Sequence, residues 1–328
     1  MRLDWDQARE LVAGAQYITI VTHVNPDGDA IGSMLGLAHG LRHMGKAITA
    51  VVDGGVPVDL QFLPGAGDVL PLLDGVAADL TIAVDCGDES RMGQAGQAAL
   101  QTGVPLINLD HHRTNTLFGQ ANLVDIQTVA ASEGVLDWLD RMGVALEADS
   151  ALCLLTGLVT DTLCFRTDNV TADTLGKAQR LMDAGGSLSE VVQRTVNRKS
   201  YTDLQLWTKV LPTVQLAEHV IWAVITQEMY RSVGMTEVDD GGLVSMLVQV
   251  EEAYIAAVFK EKPDGNIELG FRAVPGFDTA NVAVVLGGGG HKLASGATVR
   301  GETMAILVPR VIEMLKAEVQ RGMPEVER

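Results

Sequence analysis

The sequence predicts an α/β fold: a doubly wound, mainly parallel sheet, followed by a second, smaller α+β domain. Three observations carry that expectation. Between residues 17 and 184, short apolar runs alternate with segments of helical period, the pattern of βαβ units. Three of those runs end in Asp or His, and in an open parallel sheet ligands gather beyond the carboxyl ends of the strands. From Val210 onward the alternation gives way to a hairpin and short helices.

In chain order, Tyr17-Ile18-Thr19-Ile20-Val21 reads as a strand because aromatic and β-branched residues suit a pleated, buried surface. A helix is expected from near Asp29 to Gly45. Gly32, Gly36 and Gly40 recur along it at fourfold spacing, a smooth stripe that would let the helix lie close to the sheet. Strands follow at Ile48–Val52, Leu80–Val84, Pro105–Leu109 and Ala121–Val124, with helices at Ser132–Met142, Ser150–Thr160 and Thr171–Ala184. Gly185-Gly186 marks a helix stop. The polar, partly basic stretch Gln193–Asp203 resembles a connector, so the domains are set at 1–186 and 210–328 with a linker over 187–209.

In the second domain two strand-like runs, Val210–Gln215 and Val220–Thr226, precede a helix at Gly242–Val248. A hairpin is expected at Pro263-Asp264-Gly265-Asn266, between Ala253–Lys260 and Ile267–Arg272. A short helix at Asp278–Leu286, a glycine loop at Gly287–Gly290 and an amphipathic helix at Glu302–Arg321 complete it.

Composition excludes several classes of function. The 328 residues suit two domains, and 47% hydrophobic with 20% charged residues is the balance of a chain that buries a core. No apolar run reaches the roughly 20 residues needed to span a bilayer, so a cytoplasmic protein without a membrane partner is expected. Cys86, Cys153 and Cys164 lack CxxC spacing and read as core thiols. A formal charge of −18 disfavours long nucleic acid, whose non-specific binding relies on many Lys and Arg contacts with phosphates. An anionic substrate must be short, or be held by metals and a few local cations.

Chelating side chains collect at the strand ends. His23, Asp27 and Asp29 follow the first run, Asp85 closes Leu80–Val84, and Asp110-His111-His112 ends Pro105–Leu109. Each motif alone has a plain structural reading: Asp29 as a helix cap, Asp85 as a turn residue. Their repetition at three strand ends favours a shared metal site, and a mixed Asp/His set suits Mn²⁺ better than Ca²⁺. Asp161, at the end of the apolar run Leu152–Val159, must lie at the surface or neutralise a cation, because a buried lone carboxylate costs several kcal/mol. Asp27, Asp29, Asp85 and Asp161 together would balance two divalent ions.

These motifs resemble the four successive motifs of the DHH phosphoesterase family, and Gly287–Gly290 with His291, Lys292, Ala294 and Gly296 resembles the glycine-rich signature of the DHH-associated C-terminal domain. Length and layout are similar to the nanoRNase and 3′-phosphoadenosine 5′-phosphate phosphatase subgroup. One departure is Leu163, where that pattern has glycine. The resemblance implies two Mn²⁺ ions, with Mg²⁺ or Co²⁺ as substitutes. His23, Asp27 and Asp85 would hold one, and Asp29, Asp85, His111 and Asp161 the other. It implies that His112 faces the substrate, oriented by Asp110.

On the second domain Gly288, Gly289, Gly290 and His291 would cradle phosphate, with Arg272 offering a bidentate fork or a stacking surface. Lys292 strengthens the phosphate reading, while Arg113 and Arg166 merely lie near ligands in sequence. The expected activity is exonucleolytic release of mononucleotides from short single-stranded RNA, with dephosphorylation of 3′-phosphoadenosine 5′-phosphate, by a chain that could form a homodimer. A cyclic or linear dinucleotide phosphodiesterase is the rival within the class, and a non-catalytic nucleotide sensor the rival outside it.

Overall fold

Apolar runs that bury both faces can only be interior strands, and these runs assemble as such. The computed structural model describes residues 2–73 and 78–322, in two units, Met1–Arg198 and Lys199–Arg328. The strands of the first unit are β1 (Arg2–Leu3), β2 (Tyr17–Val21), β3 (Ala47–Val51), β4 (Leu80–Val84), β5 (Leu106–Asp110) and β6 (Ala121–Val124). They lie in the order β1-β6-β5-β4-β2-β3. β2 to β6 pair in parallel, and only the edge strand β1 is antiparallel. Every residue of β4 and β5 is buried, which is why those strands read as continuous rather than alternating. The chain runs from β2 outward to β3 and then returns to set β4 on the other side of β2. The switch point of a doubly wound sheet therefore falls between the strands that precede His23 and Asp85.

The helices of this unit are α1 (Trp5–Gly14), α2 (Gly28–His43), α3 (Gly93–Gln101), α4 (Ala131–Arg141), α5 (Ala148–Asp161), α6 (Ala172–Asp183) and α7 (Leu188–Arg194). On one face of the sheet Met92, Ala95 and Ala99 pack against Val21, Val51 and Ala83. The other face carries the larger core, to which α1, α2, α4, α5, α6 and α7 contribute. Helix α1 escaped the sequence reading because its apolar stripe is thin, burying only Ala8 and Val12.

The glycine stripe of α2 has a different partner from the one expected: it faces helices, not the sheet. A Cβ on Gly32 would stand 2.5 Å from the Cys153 carbonyl oxygen and 2.8 Å from the Gly157 nitrogen, both on α5. Gly28 and Gly36 likewise meet Thr160 and Leu154 of α5, and Gly40 meets Leu139 of α4. Because α2 is buried on nearly all sides, periodicity alone could not say which face the glycines serve.

The stretch 187–209 is largely helical. Ser187 caps α7, and a Ser200/Asp203 capping box opens α8 (Tyr201–Val210), whose Leu206 and Val210 are buried. The second unit then contains β7 (Gln215–Ala217), β8 (Val220–Ile225), α9 (Gln227–Ser232), α10 (Leu243–Leu247), β9 (Ile255–Glu261), β10 (Ile267–Ala273), α11 (Ala280–Val285), β11 (Gly289–His291), β12 (Ala294–Val299) and α12 (Met304–Gly322). Its sheet runs β11-β12-β10-β9-β8-β7, with β9 and β10 forming the expected hairpin.

Two expectations are corrected here. Val210–Gln215 is not a strand: Val210 ends α8 and a tight turn over Leu211–Thr213 follows, since Pro212 has no N–H to give a ladder. The glycine run is not wholly loop, because Gly289–His291 pairs with Ala294–Gly296 as an edge strand. Gly288 and Gly290 permit that approach, as a Cβ on either would collide with the backbone of β12.

If the crossing of α2 on α5 is closed by backbone, Gly32→Ala should destabilise the protein by about 1–3 kcal/mol or more, since neither Cys153 O nor Gly157 N can swing away. Gly14→Ala, in open space at the end of α1, should be neutral or stabilise by up to about 1 kcal/mol. Urea unfolding of the two variants checks this, and equal midpoints would contradict it.

Candidate metal centre

The switch point gathers the chelating side chains into one cluster. Ligand atoms of His23, Asp27 and Asp85 lie within 4.8 Å of one another, as do those of Asp29, His111 and Asp161, and those of Asp85, Asp110, His111 and His112. Asp85 is common to the first and last of these groups.

Each side chain is placed by local structure. Beyond β4, Asp85 donates its N–H to Leu109 O at 2.9 Å and adopts φ +52°, a left-handed conformation that Asp tolerates better than most residues. His23 follows β2, and its Nδ1 lies 2.8 Å from the Val24 carbonyl oxygen. A carbonyl only accepts, so Nδ1 carries a proton toward Val24, and Nε2, 3.5 Å from Asp85 Oδ2, is the nitrogen left to bind a cation once it gives up its own proton.

Asp27, not Asp29, is the N-cap of α2: its Oδ1 accepts the N–H groups of Asp29 and Ala30, both at 3.0 Å. Asp29 sits in the first helical turn, 1% exposed. Its carboxylate accepts N–H from Ala131 and Ser132 at the start of α4, and the hydroxyl of Ser33 at 3.2 Å. Gly157 makes room, because a Cβ there would stand 2.5 Å from Asp29 Oδ1.

His111 Nε2 is the hub. It lies 3.5 Å from Asp161 Oδ2, 3.6 Å from Asp85 Oδ1 and 3.9 Å from Asp29 Oδ2. Those separations are long for hydrogen bonds and suit donors that converge on a shared ion. Asp110, the last residue of β5, is buried, and its Oδ1 takes a 2.7 Å hydrogen bond from His112 Nδ1. Asp161 ends α5 with its side chain about one-third exposed. A cation fits this donor set on a further observation: Asp85 Oδ1 is buried without a hydrogen-bond partner, an orphan that would be costly unless a positive charge faces it.

Protonation follows from the crowding. Burial opposes charge on His111, but Asp85, Asp161 and Asp29 outweigh it and push the ring up to about 10. Burial, then Asp85 and Asp161, push Asp29 up to about 8, and burial foremost raises Asp161 to about 6. Asp85 is also disfavoured by burial, yet His111 and His23 hold it well below the usual carboxylate range. His112 is raised, burial notwithstanding, by Asp110.

The remaining candidates are placed as follows. Arg113 and Arg166 are exposed, and Arg166 Nε donates to Leu163 O at 2.6 Å. At the position where glycine is missing, Leu163, Cys164 and Phe165 take φ of +49°, +62° and +62°. In the second unit Arg272 lies on β10 with a guanidinium nitrogen 2.9 Å from Phe271 O. Gly289, Gly290, His291 and Lys292 are exposed. The sequence reading missed the amides of Ala131 and Ser132 that hold Asp29, since backbone donors leave no mark in residue types. The available signal was the run Ala130-Ala131-Ser132-Glu133, small residues and an acid at a helix start.

A cluster of carboxylates and imidazoles at the switch point of a parallel sheet, with a separate sheet domain following it in sequence, is a candidate metal site of the kind a phosphoesterase could use, and the comparisons give the class. Residues 17–158 match the DHH family, N-terminal domain, and residues 223–321 match the DHHA1 domain. The chain belongs to the DHH phosphoesterase family. It is 36% identical over 311 residues to the bifunctional oligoribonuclease and PAP phosphatase NrnA of Thermus thermophilus, covering 93% of this chain and 91% of that one. The protein of the same name from Bacillus subtilis is 28% identical, over 86% of this chain and 90% of its own. In structure, an exopolyphosphatase-related protein from Bacteroides fragilis superposes with a TM-score of 0.88 at 24% identity, covering 97% of both chains. RecJ of Thermus thermophilus in complex with Mn²⁺ shares the fold at a TM-score of 0.57 and 15% identity, over 98% of this chain and 55% of that one. Among the described residues no helix is long and apolar enough to cross a membrane.

His111 and Asp29 hold protons in the folded state more tightly than an unfolded chain would. Their stabilising effect is complete below the unfolded pKa values and lost as pH rises through about 8 for Asp29 and about 10 for His111. The metal-free protein should therefore melt lower at pH near 10 than near 7, while stabilisation by added Mn²⁺ should grow over that range because the ion displaces the same protons. Calorimetric melting with and without Mn²⁺ tests both signs.

Proposed function

We propose that this protein is a two-metal phosphohydrolase that degrades short oligoribonucleotides to mononucleotides and removes phosphate from 3′-phosphoadenosine 5′-phosphate. The observation that carries the reading is the near full-length similarity to the Thermus thermophilus enzyme of that description, in a chain whose His and Asp side chains gather into groups that could hold a metal ion.

Manganese suits the mixed Asp and His donors, with Mg²⁺ or Co²⁺ as substitutes. His23, Asp27 and Asp85 would hold one ion; Asp29, Asp85, His111 and Asp161 would hold the other. When bound, such a pair supplies an activated water and a clamp on the phosphoryl oxygens. The residues of the chain do the rest. The α4 amides keep Asp29 in place by hydrogen bonds that favour its ionised form. The Val24 carbonyl fixes the His23 tautomer, as partners of metal-binding imidazoles generally do. His112, held at Nδ1 by Asp110, presents its other nitrogen to the substrate.

On the second domain Arg272 supports a role in holding an anion. Burial lowers the pKa of its guanidinium, and no ion pair among the described residues includes it. Gly288, Gly289, Gly290 and His291 are assigned to the same task, with backbone N–H groups as donors. With a net charge of −18 and no extended basic track, each further nucleotide adds repulsion without adding contacts.

Asp85→Asn should abolish turnover and lower the occupancy of both ions, whereas Asp27→Asn should empty mainly one. Metal content by mass spectrometry reads the difference, and two full equivalents in the Asp85 variant would refute the shared ligand.

Substrate length gives the second test. On 5′-labelled RNAs of increasing length, beside 3′-phosphoadenosine 5′-phosphate and a cyclic dinucleotide, kcat/KM should be highest for roughly two to five nucleotides and fall beyond. Processive degradation of long RNA would overturn the reading, and a preference for the cyclic dinucleotide would move the assignment to a dinucleotide phosphodiesterase.

A further inference from the structure

The Asp110 carboxylate has two partners. Its Oδ1 receives the hydrogen bond from His112. Its Oδ2 receives one from Nδ2 of Asn115 at 2.6 Å. The orientation of that amide is determined, not arbitrary, because Asn115 Oδ1 accepts the N–H of Leu117 at 2.7 Å. An N–H needs an acceptor, so the oxygen must face Leu117 and the amino group must face the carboxylate. The same amino group lies 2.8 Å from Asn108 Oδ1 and 3.2 Å from Cys86 O, and Asn108 Nδ2 donates to Cys86 O at 3.0 Å. Asn115 is thus anchored to β5 and to the end of β4, the two strands that deliver Asp110 and Asp85.

We infer that Asn115 is a positioning residue that acts through Asp110 on His112. A buried carboxylate with one partner can rotate about its Cβ–Cγ bond, and the imidazole hydrogen-bonded to it follows. Asn115 removes that freedom by fixing Oδ2, so that Oδ1 meets Nδ1–H in one geometry and the ring stands in one plane beside the cluster. Leu117, held at φ +57°, and Thr116, whose N–H donates to Gly87 O at 2.9 Å, keep the turn that carries Asn115 in register. The bonds to Asn108 and Cys86 brace the loop against β5 and the end of β4; the bond to Asp110 is the one that reaches the partner of His112. Nothing in residue type alone would separate the two roles, since an Asn five residues after an Asp is a common turn residue.

The inference rests on the phosphohydrolase reading for its kinetic consequence but not for its structural one, and the experiment keeps the two apart. In protein labelled with ¹⁵N-histidine, the His112 Nδ1–H bonded to Asp110 should give a far-downfield proton resonance, assigned by its loss in His112→Gln. Asn115→Ala should shift or remove that resonance and lower kcat on a diribonucleotide by about 10- to 100-fold, the range for partners that orient functional side chains. KM and bound metal per chain should stay within about twofold of wild type, since neither depends on the plane of His112. If the alanine variant does not fold, Asn115→Asp keeps the acceptor for Leu117 N–H while turning an oxygen toward Asp110, and should give the same pattern.

An unchanged resonance with unchanged kcat would overturn the inference. So would a joint fall of kcat, metal content and melting temperature, which would mark Asn115 as a brace for the loop alone. A wild-type protein inactive on the nucleotide substrates would count against the proposed function, while the resonance would still decide the role of Asn115.

Discussion

The constraint on which the first unit depends is the mutual repulsion of carboxylates forced together out of water. Asp29 and Asp85 are almost fully buried and Asp161 is close by. At such separations in a medium less polar than water, like charges repel by several kcal/mol. The fold answers each charge with a different device. His111 and His23 flank Asp85. Asp29 is set against the start of α4, where unpaired N–H groups and the helix dipole favour a negative charge. Asp110 is divided between an imidazole and an amide. Among the described residues of this arrangement, Asp85 Oδ1 is a buried carboxylate oxygen without a hydrogen-bond partner, 3.6 Å from His111 Nε2.

That constraint propagates outward into packing. Asp29 can reach α4 only if α2 lies close to α5 and α4, which the glycine stripe and Gly157 allow. α4 must in turn be held firmly. Its Glu133 accepts the N–H of Val129 at 2.9 Å and an ion pair from Lys177 of α6, also at 2.9 Å. A long-range chain of contacts thus links a surface helix to the carboxylate and imidazole cluster, and the glycines that pack α2 also set where Asp29 stands.

The parts of this arrangement legible in sequence are those encoded by period and residue type. The strands of the parallel sheet are continuous apolar runs, and their ends carry acids and imidazoles that a buried strand end would not otherwise keep. The sequence was silent where backbone does the work. It could not show that Ala131 and Ser132 N–H groups hold Asp29, nor that Asp27 rather than Asp29 caps α2, since an Asp two residues earlier satisfies the same preference. The glycine stripe was visible but its partner was not, because a helix buried on all sides offers no polar face from which to orient it. In the second unit the strand-like run at Val210 fails for a similar reason: apolar residues ending a helix and starting a turn resemble a short strand until Pro212 is weighed.

The departure at Leu163 has a physical counterpart in the turn that follows Asp161. Three successive non-glycine residues in the left-handed region cost roughly 1–2 kcal/mol each, so the turn persists only because its surroundings over-determine it. Thr162 supplies much of that determination: its hydroxyl donates to Leu158 O at 2.6 Å and accepts the N–H of Phe165 at 2.9 Å. Cys164 N–H reaches back to Val159 O at 2.7 Å, and Arg166 closes the loop on Leu163 O. The turn therefore terminates α5 abruptly and leaves Asp161 at a fixed end rather than on a fraying one. Glycine would make the same turn at lower conformational strain but with a looser unfolded chain. The hydrogen bonds that hold this terminus do not depend on which residue occupies the left-handed position, so leucine at 163 still leaves Asp161 beside His111.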